Sequence, residues 1–415
     1  MNKKVISWAL YDWANSVFFT TVVAGFFPIF FKKYWNTEAS VTLSTERLGL
    51  LLAVTGFFMA VLSPLLGVIS DYRRSKKILL FSFTVIGALC TFFLYFVPQG
   101  DWLSASLLYG FALFFCSAST VFYDSLLVSV TTPDKYDFVS SLGFSLGYLG
   151  GGLLFVLNVL MYQNPDWFGL SSGAQGVRFS FILVAVWWVV FTFPLMKNVD
   201  EPALYVDSQE KLGHLLLRSV RELNHTFTAI LKQKNIFYFV LAYWFYIDGV
   251  GTVISMAVDF GMSMGFEAGD LIKALLLTQF VGFPAAFFAG KLAERFGNKN
   301  IILFCLGIYV LVVVGAAIMT EQKHFYILAA LIGLSQGGVQ ALSRSLYALL
   351  IPKEKAGEYF GFFNLLGRFA AIMGPLLMSM TASWTQSPQK TILSLLLLFV
   401  LGAFFLMKVK AKKEI

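Results

Sequence analysis

The sequence is poor in charge: Asp, Glu, Lys and Arg make up only 13% of its 415 residues, whereas 58% are hydrophobic, and the mean hydropathy is +0.74. Soluble domains carry about 25% charged residues, so the composition excludes a soluble enzyme with a water-facing surface. Cysteine is also scarce. The chain has only three, all inside apolar runs, which excludes a disulfide-stapled scaffold.

Motifs for nucleotide and metal chemistry are missing as well. No Gly-x-x-x-x-Gly-Lys-Ser/Thr loop is present to hold ATP phosphates. The three histidines are scattered and lack the spacing of a zinc site. The glycine-rich run 147–152 lies inside an apolar stretch with no preceding strand, which favours helix packing over dinucleotide binding. We therefore expect no cofactor, no metal and no enzymatic activity.

Long apolar runs are abundant, and crossing a bilayer takes about 20 such residues. Twelve spans are predicted, at residues 9–31, 48–69, 78–97, 103–130, 139–162, 176–196, 235–258, 270–290, 300–319, 325–350, 358–382 and 391–408. This pattern predicts an all-α integral membrane protein of twelve transmembrane helices.

The distribution of basic residues predicts the orientation, because cytoplasmic loops are enriched in Lys and Arg. Of the 31 basic residues, 22 lie on one side of the predicted spans and six on the other, which places both termini in the cytoplasm. Lys3 and Lys4 precede a full-length span without a cleavage site, so we expect the first span to be retained. The net charge of +8 then reflects topology and requires no nucleic-acid partner.

The longest predicted loop divides the chain into two halves. We predict a six-helix bundle at 1–196, a cytoplasmic linker at 197–234 and a second six-helix bundle at 235–415. Within the linker, apolar residues recur at helical spacing opposite basic ones. This pattern predicts an amphipathic helix, either lying on the inner membrane face or docked on the bundle.

A short motif recurs in the loops after the second and eighth spans: a glycine, an acid four residues later, and then basic residues. The copies consist of Gly67, Asp71, Arg73 and Arg74, and of Gly290, Glu294 and Arg295. Glycine allows helices to approach closely, and the acid can cap a helix start or pair with an arginine. We predict a gating role, with an incidental acid in a basic loop as the alternative.

A second repeat links the fourth and fifth spans to the tenth and eleventh. Residues 123–126, Pro133 and 143–144 are echoed by residues 343–346, Pro352 and 361–362. The offset along the chain is nearly the same as for the loop motif. Repeated six-helix halves are typical of secondary transporters.

Some charged and polar residues fall inside the predicted spans, where a charge costs at least about 2.5–3.5 kcal/mol. The candidate substrate or coupling residues are Asp12, Asn15, Asp124, Asp248, Gln336, Gln340, Arg344 and Arg368. We expect Asp248, near mid-membrane, to be the coupling carboxylate, with a structural hydrogen bond to a neighbouring helix as the alternative. Arg368 either holds an anionic substrate group or pairs with a buried acid. Asp12 either stabilises the start of the first helix or lines the cavity.

The glycine–acid–basic loop in a six-plus-six frame resembles the signature loop of the major facilitator superfamily. Within it, the stretches 11–16, 143–152 and 336–345, and Tyr243 with residues 248–250, resemble the vacuole effluxer family, which spans bacterial permeases and fungal vacuolar amino-acid exporters. The resemblance implies two pseudo-twofold-related bundles, with the first, fourth, seventh and tenth spans lining a central cavity. Asp124 and Arg344 would then be neighbours, and we hypothesise that their ion pair closes the inner gate.

These patterns predict a secondary active transporter that moves a small polar or amphiphilic solute by alternating access. An amino acid or related metabolite is favoured, with proton coupling through Asp248 assisted by Asp12 or Asp124. A siderophore, peptide or drug-like solute is the alternative cargo. A non-transporting receptor is the alternative of another class, and the repeated gating motifs speak against an intramembrane protease. We expect a monomer surrounded by lipids in a bacterial inner membrane, since the chain is shorter than expected of a fungal vacuolar member.

Overall fold

The computed structural model describes residues 2–38, 41–73, 75–201, 212–385 and 388–410, and in these ranges it consists of helices with no strand. Helices suit a bilayer because their backbone groups are satisfied within the segment. Ten described helices are long and apolar enough to cross a membrane, and the apolar helix Ile392–Met407 is shorter. The all-α membrane fold is confirmed. The count of twelve spans, the cytoplasmic termini and the domain limits stay predictions.

Six helices form the first half of the chain. They are α1 (Lys3–Trp35), α2 (Val41–Arg73), α3 (Lys76–Phe93), α4 (Trp102–Val130), α5 (Tyr136–Gln163) and α6 (Gly173–Asn198). Asp101 begins α4 by accepting the backbone N–H of Ser104 at 3.1 Å, and the hydrogen bonds from Ser104 lower the pKa of this carboxyl. Within α1, most turns after Val17 widen to i→i+5 bonding.

The second half continues from the linker. The linker contains α7 (Leu212–Lys232), and the helices of the second half are α8 (Lys234–Ser263), α9 (Ala268–Phe296), α10 (Asn298–Ile318), α11 (Gln322–Leu350), α12 (Ala356–Thr385) and α13 (Leu396–Met407). Helix α7 is the amphipathic helix expected in the linker, and it packs against α2, α8 and α12. Thr226 and Ile230 are buried in that contact, whereas Phe227 and Leu231 are exposed. One face of α7 is therefore docked on the bundle.

The two halves meet most extensively along two helix pairs, α2 with α12 and α5 with α9, and α5 also contacts α11 while α4 contacts α12. Small residues bring the first pair close together: a Cβ at Gly67 would overlap the carbonyl oxygen of Gly357. In the second pair, the Ser145 hydroxyl donates to the carbonyl of Phe283 at 2.8 Å. The halves are thus held together by backbone-level contacts as well as by side chains.

Helix α1 begins earlier than its apolar run suggests. It starts at Lys3, where the Asn2 side chain accepts the backbone N–H of Lys4. Asp12 therefore lies in the third turn, and the positive helix start acts only within the first turn. Stabilisation of the helix start is the wrong explanation for Asp12.

Candidate functional site

A buried arginine on α11 joins the two halves. The Nη1 atom of Arg344 lies 3.0 Å from Asp124 Oδ1, and its Nη2 atom lies 3.2 Å from Asp12 Oδ2. Arg344 also donates from Nε to the Ser140 hydroxyl at 2.8 Å and from Nη2 to the Ser140 carbonyl at 2.9 Å. Residues of α1, α4 and α5 thus bind one side chain of α11. We call Asp12, Asp124, Ser140 and Arg344 the arginine cluster.

The cluster lies near one end of the bundle. Asp124 and Arg344 each precede the end of their helix by six residues, and Ser140 follows the start of α5 by four. At a rise of about 1.5 Å per residue, these positions are roughly 6–9 Å from the helix ends. This is the end where α1 begins and where the basic residues predict the cytoplasm.

Aromatic rings enclose the guanidinium. The centre of the Arg344 guanidinium lies 4.7 Å from the Trp8 ring centroid and 4.5 Å from that of Phe144. Trp8 stacks on Tyr123 at 4.4 Å and donates its indole N–H to the Tyr123 carbonyl, while the Tyr123 hydroxyl donates to Asp12 Oδ2 at 2.8 Å. These contacts stabilise the cation and fix the Asp12 carboxylate.

Local sequence places these groups on facing helix surfaces. Trp8 and Asp12 are four residues apart and therefore share one face of α1. Gly143 follows Ser140 by one turn of α5, and a Cβ there would press on Asp12, Tyr123 and Arg344. A larger residue at 143 is therefore incompatible with the cluster as it stands.

The described charges of the cluster do not balance. Two carboxylates, Asp12 and Asp124, share one guanidinium, and all three groups are buried. Both oxygens of Asp124 accept hydrogen bonds, from Arg344 and, at 3.3 Å, from the amide of Asn364 on α12. Asp12 uses Oδ2 alone for its two bonds from side chains. An uncompensated buried charge is costly, so the cluster is suited to accept a proton or another cation.

Asp248 forms a separate polar site on α8. It is fully buried, and its Oδ1 accepts the Gly374 backbone N–H at 2.9 Å and the Thr252 hydroxyl at 3.3 Å. Its Oδ2 has no hydrogen-bond partner among the described residues. Although Gly249 and Gly251 follow it, α8 continues without a break to Ser263.

The first copy of the loop motif bridges the halves. Asp71 accepts the backbone N–H groups of Gly357 at 3.0 Å and Glu358 at 2.8 Å, at the start of α12. It also pairs with Lys76 at 2.6 Å, and both side chains are largely buried. An acid at a helix start is favoured by the N–H groups that lack partners there. Asp71 thus caps a helix of the opposite half.

The second copy differs. Gly290 packs against Ser141 on α5, but Glu294 and Arg295 are exposed. The start of α5 is instead tied down by Asp137, which accepts the Ser345 hydroxyl and, at 3.1 Å, the Asn298 amide. Asp71 and Glu294 therefore occupy matching places in the sequence repeat but make different contacts.

The remaining candidates lie apart from these contacts. Asn15 is buried, and Gln336 and Gln340 are half-buried on α11, but none has a hydrogen bond to the arginine cluster. Arg74 and the side chains of Arg73 and Arg368 lie outside the described part of the structure. The roles assigned to all these residues stay predictions.

Sequence reasoning missed Trp8, Tyr123 and Ser140 as members of the site. A signal existed for the first two, since Trp8 precedes Asp12 by one helical turn and Tyr123 adjoins Asp124. Ser140 offered none, because serine is common in membrane helices as an interhelical hydrogen-bonding residue.

Comparison with known proteins gives a consistent result. The model of the family described as "Vacuole effluxer Atg22 like" matches residues 48–136 and 129–415. The "Uncharacterized MFS-type transporter YxiO" of Bacillus subtilis is 40% identical over 407 residues, covering 97% of this chain and 94% of its own. Autophagy-related protein 22 of Eremothecium gossypii is 22% identical, covering 93% and 86%.

Solved structures share the fold at low identity. The human organic anion transporter MFSD10 superposes with a TM-score of 0.74 at 14% identity, covering 97% of this chain and 99% of its own. The proton:xylose symporter XylE gives a TM-score of 0.70 at 13% identity, covering 98% and 94%. Both are similar to this chain in architecture.

Proposed function

The chain belongs to the vacuole effluxer Atg22-like family of major facilitator transporters, and from this premise we propose that it is a secondary active transporter working by alternating access. It is a multi-pass membrane protein. We place it in a bacterial inner membrane, with the basic end of the bundle in the cytoplasm. Alternating access requires contacts between the halves that form on one side and break on the other.

The observation that carries this proposal is the arginine cluster. Arg344 of the second half is held by three helices of the first half, at the end of the bundle where Asp71 caps α12. All of these contacts must break if the halves are to separate at that end. We infer that the cluster is the inner gate and that the arrangement described has this gate closed.

Proton coupling is the second part of the proposal. Asp248 is buried, and its Oδ2, which lacks a partner among the described residues, is an atom to which a proton can add. Asp12 and Asp124 together exceed the charge of Arg344 by one. We propose that Asp248 binds the coupling proton, and that a proton on Asp12 or Asp124 weakens the grip on Arg344.

For the cargo we propose a small polar or amphiphilic solute, with amino acids favoured. The support is the printed name of the family, vacuole effluxer, and the polar side chains Asn15, Gln336 and Gln340 on the helices that carry the cluster. In the closed arrangement Arg344 is occupied by protein acids, so a substrate carboxylate would have to compete for it.

The purified chain in proteoliposomes tests the proposal. A thermal-shift screen of amino acids, peptides, sugars, nucleosides and siderophores selects ligands, and counterflow of each labelled ligand then measures transport. We expect counterflow with the wild-type chain, its loss with Arg344→Gln, and normal rates with Lys273→Gln, whose side chain is 70% exposed. Uptake should rise with an imposed pH gradient and fall when a protonophore collapses it.

Two results would each contradict a different part of the proposed function. Ligand binding without counterflow would indicate a receptor and refute transport. Net uptake that does not respond to a pH gradient imposed in either direction would refute proton coupling while leaving the transporter assignment intact.

A further inference from the structure

Helix α7 has an exposed side that does not pack against the bundle. Phe227 and Leu231, one turn apart, are 51% and 48% exposed. Arg221 and Lys232 are exposed as well, and their separation of eleven residues, about three turns, places them on one face. We call Arg221, Phe227, Leu231 and Lys232 the outer strip of α7. It combines adjoining apolar and cationic groups.

The position of this strip indicates a lipid partner. Helix α7 ends at Lys232, and α8 begins at Lys234, where a candidate membrane span opens. Leu231 therefore lies within one turn of a membrane-crossing segment. An apolar pair flanked by cations at the boundary between headgroups and acyl chains matches an anionic phospholipid surface.

The docked face of α7 reaches the closed end of the bundle. The Thr226 hydroxyl donates to the Glu358 carboxylate, and Lys355 pairs with Glu222 at 3.1 Å. Glu358 belongs to the same first turn of α12 whose backbone N–H groups Asp71 accepts. Helix α7 thus contacts the same turn of α12 that Asp71 caps.

We propose that the outer strip of α7 binds anionic phospholipid headgroups, and that this binding presses α7 onto the first turn of α12. Phe227 and Leu231 enter the acyl boundary, and Arg221 and Lys232 contact the headgroups. Each basic residue near such a surface strengthens attraction about fivefold. Neither lipid binding nor the contact of α7 with α12 requires transport activity.

The test uses the full chain in nanodiscs of phosphatidylcholine, with and without phosphatidylglycerol. Phe227→Cys, in a chain whose three native cysteines are replaced by serine, carries a polarity-sensitive fluorophore. We expect a blue-shifted emission that deepens as phosphatidylglycerol is titrated in, and a titration midpoint weakened about 25-fold by Arg221→Gln with Lys232→Gln. Lys273→Gln with Lys323→Gln, exposed cations at the starts of α9 and α11, is the control and should not shift it.

Contact with α12 is measured separately. The double variant Glu222→Cys with Lys355→Cys leaves the Thr226–Glu358 hydrogen bond in place. The rate at which its two introduced cysteines form a disulfide should rise with phosphatidylglycerol. An emission that does not change as phosphatidylglycerol is added overturns lipid binding. A titration midpoint that is unchanged by Arg221→Gln with Lys232→Gln overturns it as well. A disulfide rate indifferent to lipid overturns the pressing of α7 onto α12. If the Gln variant aggregates, added salt must weaken the lipid effect on the parent chain, and a salt-independent effect overturns the proposal.

Discussion

Replacing Arg344 by glutamine should damage the protein more than replacing either of its acidic partners. Arg344→Gln leaves Asp12 and Asp124 facing each other without a cation, and both are buried. Asp124→Asn instead leaves Arg344 paired with Asp12, one charge to one. The imbalance of the cluster therefore predicts unequal effects from substitutions that each remove one charge.

The contacts of the arginine cluster set the size of the difference in unfolding free energy between Arg344→Gln and Asp124→Asn. Removing one partner of a buried ion pair costs about 3–5 kcal/mol because the other charge is stranded. Asp124→Asn strands no charge and loses a charge-assisted hydrogen bond, at about 1.5–3 kcal/mol. We expect Arg344→Gln to lower the free energy of unfolding by about 2 kcal/mol more than Asp124→Asn. Adding Asp12→Asn to Arg344→Gln should restore part of the loss.

Equilibrium unfolding in mixed detergent micelles, followed by tryptophan fluorescence, measures these differences. The charge-exchanged pair Asp124→Arg with Arg344→Asp adds a second check. It should recover only part of the lost transport, because the aspartate at 344 would face Asp12. Equal stabilities for Arg344→Gln and Asp124→Asn, or no recovery on adding Asp12→Asn, would refute the charge argument.

Three further predictions concern other contacts between helices. Gly67→Ala should slow counterflow and lower the melting temperature, because its Cβ would overlap the Gly357 carbonyl, whereas Gly56→Ala, with open space around it, should match the wild type. Asp71→Asn should cost about 3–5 kcal/mol in unfolding free energy, since it strands the buried Lys76; a loss below about 1 kcal/mol in the same micelle assay contradicts this. Asp248→Asn should retain counterflow but lose the response of uptake to a pH gradient, and a retained response would exclude Asp248 as the proton site.

The sequence predicts the all-α membrane architecture well because membrane helices must be predominantly apolar over about 20 residues, and such runs are readable from the chain. The repeat placed Asp124 and Arg344 at equivalent positions, and the structure brings them to 3.0 Å. Asp12 was harder to place. Its helix begins at Lys3, among polar residues that hydropathy assigns to the loop.

What could not be predicted depends on how helix surfaces face each other. Ser140 enters the cluster through its carbonyl as well as its hydroxyl, and a main-chain acceptor has no signature in the sequence. Likewise, Asp71 and Glu294 occupy matching places in the repeat, yet only Asp71 caps a helix of the other half. Rotation of a helix about its axis decides such contacts, and periodicity leaves that rotation open.

The hydrogen bonds between α5 and Arg344 have a consequence for how the two halves separate at this end of the bundle. The Ser140 hydroxyl donates to the Ala341 carbonyl while accepting from Arg344, and the Ser140 carbonyl accepts from Arg344 as well. Parting the helices exposes a guanidinium and main-chain oxygens together, and apolar surroundings cannot satisfy them. In the cycle proposed above, water must therefore enter this seam as the halves separate. We expect the rate of opening to follow the activity of water in the medium.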